Sequence, residues 1–139
     1  MRLIVTHEQP DFDALASLAL ARLLFPNAVA TIQGSLSPGL TAFLRLYRDQ
    51  LELAEPQTID LGTVTDLVVV DTADAGRIHP FDRLVSVVPV TLYDHHPPPA
   101  QPIPAARGLR EQVGATATVL TRELMATGIA IPPPIASLA

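Results

Sequence analysis

Short unbroken apolar runs alternate along this chain with longer stretches in which apolar residues return every three or four positions. The first pattern predicts strands buried on both faces, and the second predicts helices with one buried stripe. Arg2 to Thr6 reads as the first strand. A helix follows from Ala14 to about Phe25, started by Asp11 or Asp13 as the cap and ended by Pro26-Asn27. Ala28 to Ile32 is a second strand, and Gly34-Ser35-Leu36-Ser37-Pro38-Gly39 a turn. The spacing of Phe43, Leu44, Tyr47 and Leu51 predicts a second helix over Leu40 to Glu52.

Further on, Ile59-Asp60-Leu61 reads as a short edge strand. Leu67 to Val70 is wholly apolar, ends at Asp71, and suits a central parallel strand. Ala75 to Leu84 is weakly helical. Val90 to Tyr93 is another strand and runs into Asp94-His95-His96. Pro97 to Pro104 holds five prolines, which predicts an extended loop outside the sheet. Gly114-Ala115-Thr116-Ala117-Thr118 opens a last clear helix reaching Ala126, and Pro132-Pro133-Pro134 precedes an apolar segment from Ile135 to Ala139. No internal repeat is visible. Alternating strands and helices predict an α/β fold, a mostly parallel sheet with helices on both faces.

Composition narrows the chemistry. A length of 139 residues, 48% of them hydrophobic, suits one domain with its own core. The longest apolar stretch, Ala14 to Phe25, is too short to span a bilayer, and Arg22 interrupts it. No secretion signal precedes it, so a cytoplasmic protein without a membrane partner is expected. The absence of cysteine excludes disulfides, zinc-thiolate sites and thiol nucleophiles. A formal charge of −5 argues against a broad nucleic-acid-binding face. All nine basic residues are arginine, which fits the Ala-, Leu- and Pro-rich composition more than any function.

The acidic and imidazole groups are not scattered. His7, Asp11 and Asp13 follow the first strand, Asp71 follows the Leu67 run, and Asp94, His95 and His96 follow the Val90 run. If those strands are parallel neighbours, all seven side chains meet at the carboxyl edge of the sheet, where open α/β sheets bind ligands. Taken singly each has a plain structural use: helix caps for Asp11 and Asp13, a turn for Asp71, a solvated loop for Asp94-His95-His96. Their joint placement after three strands favours a metal site. Carboxylates and imidazoles without thiolate suit Mn²⁺, Mg²⁺ or Fe²⁺, and so many acids in one crevice need compensating cations. The number of ligands suits two ions about 3.5–4 Å apart that share a carboxylate. Such a pair supports hydrolysis of phosphate esters or anhydrides by two-metal-activated water. The turn Gly114, Thr116, Thr118 at a helix start adds an anion-binding device for phosphate. His96 is left to contact a phosphoryl oxygen or protonate the leaving group.

These residues in this order resemble the DHH phosphoesterase family. The first motif is similar to His7-x-x-x-Asp11-x-Asp13-Ala14 and the second to Val69-Val70-Asp71. The third is Asp94-His95-His96-Pro97 and the fourth Gly114-Ala115-Thr116-Ala117-Thr118. Thr6-His7-Glu8 … Asp11-Phe12-Asp13-Ala14-Leu15-Ala16-Ser17, with Phe43-Leu44-x-Leu46-Tyr47, narrows the likeness to the module that precedes CBS domains in bacterial tRNA nucleotidyltransferase/poly(A) polymerase proteins. The resemblance implies that His7, Asp11 and Asp71 hold one Mn²⁺, and that Asp13, Asp71 and His95 hold a second. It also implies that His96 faces the substrate phosphate and that Asp94 orients the histidines. Phosphate-containing small molecules or short RNA are the partners expected. In the family a further aspartate and a smaller C-terminal domain follow, so the chain reads as a single domain incomplete at its C-terminus, with missing C-terminal domains or a homo-oligomer completing it. A non-hydrolytic metal- and phosphate-binding module is the rival expectation. A Rossmann-like dinucleotide binder ranks last, for want of Gly-x-Gly-x-x-Gly after the first strand.

Overall fold

A computed structural model of the chain describes residues 1–105, 107–110 and 114–136. Its centre is a six-stranded sheet in which every pair is parallel, in the order β3-β2-β1-β4-β5-β6. The strands are β1 (Arg2–Val5), β2 (Val29–Thr31), β3 (Leu53–Ala54), β4 (Asp66–Val70), β5 (Val90–Asp94) and β6 (Arg107–Arg110). The α-helices are α1 (Phe12–Leu24), α2 (Pro38–Leu51), α3 (Thr116–Thr127) and α4 (Pro133–Ala136).

Strand alternation divides the core. Ile4, Val68 and Val70 point to the face covered by Leu15 and Leu18 of α1, Leu40 and Leu44 of α2, and Leu120 and Leu124 of α3. Leu3, Val5, Leu67 and Val69 point to the other face, where 3₁₀ turns over Ala75–Arg77 and Asp82–Ser86 bring Ile78, Phe81 and Leu84, and the proline loop brings Ile103. Helical segments therefore cover both faces, with α-helices on one and short 3₁₀ turns on the other. Leu67 through Val70 are wholly buried, as a strand covered on two sides requires.

The predicted elements differ from the structure at informative places. Asp11 is the α1 cap, its Oδ1 accepting the Ala14 N–H at 2.9 Å. Pro38 and Gly39 do not end a turn; they open α2 behind the Ser37 cap, where proline loses no helical hydrogen bond. Ile59-Asp60-Leu61 is not a strand. Asp60 Oδ1 accepts the Gly62 N–H and curls the chain into a 3₁₀ turn over Leu61–Thr63. The edge strands are instead β3 and β6, which were not anticipated. β6 can lie against β5 because Gly108 has no Cβ; one would stand 1.8 Å from the Leu92 carbonyl oxygen. The proline loop stays outside the sheet yet is tied down, Ile103 N–H donating to Ala73 O and Ala75 N–H to Gln101 O.

Because β1 lies between β2 and β4, the chain's connections diverge at the carboxyl ends of β1 and β4. That switch point is where a parallel sheet leaves a crevice, and His7 and Asp71 flank it.

Candidate metal centre

Asp71 is the hub. It follows β4 directly, is 1% exposed, and takes the left-handed backbone conformation at φ 63°. Aspartate tolerates that region better than most residues, at a cost of order 1 kcal/mol. Its N–H donates to Tyr93 O at 2.9 Å, extending the β4–β5 ladder past the strand. Three elements meet its carboxylate. His7 Nε2 lies 2.9 Å from Oδ2, Thr116 Oγ1 donates to Oδ1 at 2.9 Å, and His95 Nε2 lies 3.2 Å from Oδ1.

His7 is held from its far side. Nδ1 lies 2.8 Å from the Glu8 carbonyl oxygen, which can only accept, so Nδ1 carries a proton and Nε2 faces the site. Arg77 Nη2 also lies 3.3 Å from Nδ1. Two donors cannot bond each other, so this is a contact between guanidinium and ring edge. The loop carrying His7 packs against Gly34, at φ 89°, where a Cβ would stand 3.1 Å from Gln9 N. Glu8 N–H donates to Arg77 O at 2.8 Å and closes the loop from the opposite side.

Asp13 reaches the same place from the first turn of α1. Its Oδ2 accepts the Thr116 N–H at 3.1 Å and its Oδ1 the Ala117 N–H at 3.0 Å, while His95 Nε2 lies 3.4 Å from Oδ2. The start of α3 therefore does bind an anion, as its residues suggest, but the anion is the protein's own carboxylate. Thr116, wholly buried, directs its N–H to Asp13 and its hydroxyl to Asp71. Thr116 is one of the expected phosphate contacts, and within the chain its N–H and hydroxyl are directed to these two carboxylates. Gly114 and Thr118 remain exposed.

Burial and charge act together on these groups. Burial and the neighbouring Asp71 charge push the Asp13 carboxyl up to about 6, against the α3 amides that favour its ionised form. Burial would raise Asp71 too, but hydrogen bonds from His7 and Thr116 and the contact with Asp13 hold it below the usual carboxylate range. His7 loses basicity to burial and regains more through Asp71 and the Glu8 carbonyl, so it stands above its ordinary value.

The third motif divides its work. Asp94, wholly buried at the end of β5, lies with Oδ1 2.7 Å from His96 Nδ1. That contact engages Nδ1 of a side chain that is 42% exposed, against 18% for His95. The two rings lie with centroids 4.1 Å apart, tilted 42° to each other.

Two sets of side chains could each hold an ion, and both use Asp71. Ligand atoms of His7, Asp11 and Asp71 lie within 4.8 Å of one another, as do those of Asp71, His95 and His96. The second set has His96 where the motif implied Asp13, which instead stands beside it through His95. The donors are carboxylate oxygens and imidazole nitrogens without thiolate, a set that fits divalent ions of the Mn²⁺ or Mg²⁺ type. Arg77 was not foreseen. It stands six residues beyond Asp71 in a stretch with no motif around it, and only the fold brings it to His7.

A parallel sheet with ligand sets after β1, β4 and β5 defines an α/β metal-site domain, and the sequence match is specific. Residues 2–139 match the DHH family, N-terminal domain, and the chain belongs to that family. Over 134 residues it is 33% identical to the A-adding tRNA nucleotidyltransferase of Geobacter sulfurreducens, covering 94% of this chain and 15% of that protein. It is 27% identical over 120 residues to a manganese-dependent inorganic pyrophosphatase of Methanocaldococcus jannaschii, covering 86% of this chain and 37% of that one. Among solved structures, a putative family II inorganic pyrophosphatase from Methanococcus jannaschii superposes with a TM-score of 0.73 at 25% identity, over 99% of this chain and 45% of the other. The chain therefore spans a small part of the tRNA nucleotidyltransferase it matches. Among the described residues, no helix is long and apolar enough to cross a membrane.

Proposed function

We propose that this domain hydrolyses a phosphodiester or phosphoanhydride, in RNA or a small nucleotide, with two Mn²⁺ ions (Mg²⁺ as the substitute) held around Asp71. The observation that carries it is the sharing of Asp71 between two ligand sets. His7 and Asp11 complete one set. Asp13 and His95 lie on the side of the other. Bound divalent ions supply a water acidic enough to ionise near neutral pH and offset charge on phosphoryl oxygens.

The chain's own groups have separable tasks. Thr116 orients Asp71 and, with Ala117, Asp13. The Glu8 carbonyl fixes the His7 tautomer so that Nε2 faces the ions. Asp94 holds His96 Nδ1, leaving Nε2 to contact a phosphoryl oxygen or deliver a proton to the leaving group. His96→Ala is expected to keep both ions and lose turnover; loss of an ion would make His96 a ligand. Gly114 and Thr118, exposed at the mouth of α3, are the remaining phosphate contacts in this assignment.

The second reading is a metal- and phosphate-binding module without hydrolysis, inside a larger RNA-processing protein. It is favoured by the 15% of a tRNA nucleotidyltransferase that the chain covers. The deciding experiment is a Mn²⁺ titration by calorimetry followed by incubation with a short oligoribonucleotide and with pyrophosphate. Two ions with Mn²⁺-dependent product release support the hydrolase. Two ions without release from either compound support the module.

A further inference from the structure

Beside the ligand sets lies a small cavity of about 130 Å³ lined by Thr72, Asp74, Arg77, Asp94, His96 and Pro97. Arg77 and His96 are the groups in it able to present a cation or an N–H to an anion. Arg2, Arg22 and Arg48 are paired with Asp66, Glu52 and Glu55; among the described residues Arg45, Arg77, Arg83 and Arg107 are in no ion pair, and of these Arg77 is half-buried while the others are exposed. Among the described residues its guanidinium has no hydrogen bond besides the 3.3 Å approach to His7 Nδ1, a nitrogen that already donates to Glu8 O.

The backbone under Arg77 is fixed. Asp74 N–H donates to Thr72 Oγ1, Gly76 N–H to Asp74 Oδ1, and Arg77 N–H to Asp74 O. Arg77 O accepts from Glu8, in the loop that carries His7. An arginine placed this firmly loses little further freedom on binding, and its planar fork matches two oxygens of a phosphoryl group.

On this basis, and resting on the hydrolase reading above, we propose that Arg77 is a substrate-positioning residue. It grips a phosphoryl group in the cavity opposite His96, fixing the substrate's phosphate against the metal side of the site.

The test uses the chain loaded with Mn²⁺ and titrated with inorganic phosphate, followed by ³¹P relaxation. Arg77→Gln is expected to keep the wild-type Mn²⁺ stoichiometry and bind phosphate at least ten-fold more weakly, with Arg77→Lys recovering part of the loss. Unchanged phosphate affinity in Arg77→Gln overturns the assignment and leaves the hydrolase reading standing. Loss of Mn²⁺ from Arg77→Gln with Arg77→Lys binding phosphate as wild type does also overturns it, because Arg77 would then act by supporting His7. Wild-type chain that binds Mn²⁺ but no phosphate also overturns the assignment, and product release from the oligoribonucleotide or pyrophosphate then decides whether the hydrolase reading stands.

Discussion

Asp66 opens β4 and Asp71 follows its last residue, so one strand carries the same side chain at both ends in opposite surroundings. Asp66 meets Arg2 in an ion pair at the surface, with side chains 27% and 44% exposed. Asp71 is buried among two imidazoles, a hydroxyl and a second carboxylate. Solvent screens the first pair, and its removal leaves two charges in water. The second has no such outlet: its charge must be met by protons or by metal. Position in a parallel sheet, and not residue type, makes one aspartate a surface group and the other the buried hub of the candidate metal centre.

Substitution at the two ends is the sharpest way to break that comparison. Asp71→Ala should abolish Mn²⁺ binding in both sets, read as the loss of all calorimetric heat; two ions retained would end the assignment of Asp71 as the shared ligand. Thr116→Val should come next. Asp71 keeps its carboxylate but loses a donor that aims it, and support of this kind is worth about 10–100-fold in metal affinity. Unaltered affinity would show that His7 and His95 suffice. The third effect is a pH slope. Without metal, the Asp13 carboxyl titrates at about 6 against an ordinary 3.8, so the folded chain loses stability as pH rises through that window. His7 acts in the same direction, since the stability from its raised value is present below 6.5 and lost as pH climbs through its folded value. Asp71 acts oppositely, but only as pH falls through and below 3.8. Mn²⁺ needs both Asp13 and His7 deprotonated, so the stabilisation it adds should grow from pH 5 to 8. Melting curves with and without Mn²⁺ check this, and parallel pH profiles would contradict it. Smallest is Asp66→Ala, expected to cost about 0–1 kcal/mol in urea unfolding and to leave the Mn²⁺ titration unchanged.

Much of this was readable from the residues because the signals are local. The apolar runs before His7, Asp71 and Asp94 announce strands, and the ligands follow each run at once. β3 escaped because two residues form no pattern. β6 escaped because Arg107-Gly108-Leu109-Arg110 offers neither alternation nor an apolar run, and its place depends on Gly108 meeting Leu92. Arg77 and the true occupant of the α3 start were invisible for another reason. Their partners lie 70 and more than 100 residues away, and no spacing rule reaches that far. The glycine and threonines at 114–118 suggest an anion-binding helix start, but only the fold shows that the Thr116 and Ala117 amides meet Asp13.

The grip of α3 on Asp13 also bears on how the protein is made. The two acids, at positions 13 and 71, leave the ribosome long before the amides of Thr116 and Ala117, which lie 103 and 104 residues after Asp13. A nascent chain that has closed the central strands but lacks α3 holds two crowded carboxylates with half their donors missing. Until α3 arrives the two carboxylates lack the amides and the hydroxyl that aim them, so the site takes its final shape only once residues 116 and 117 have been made.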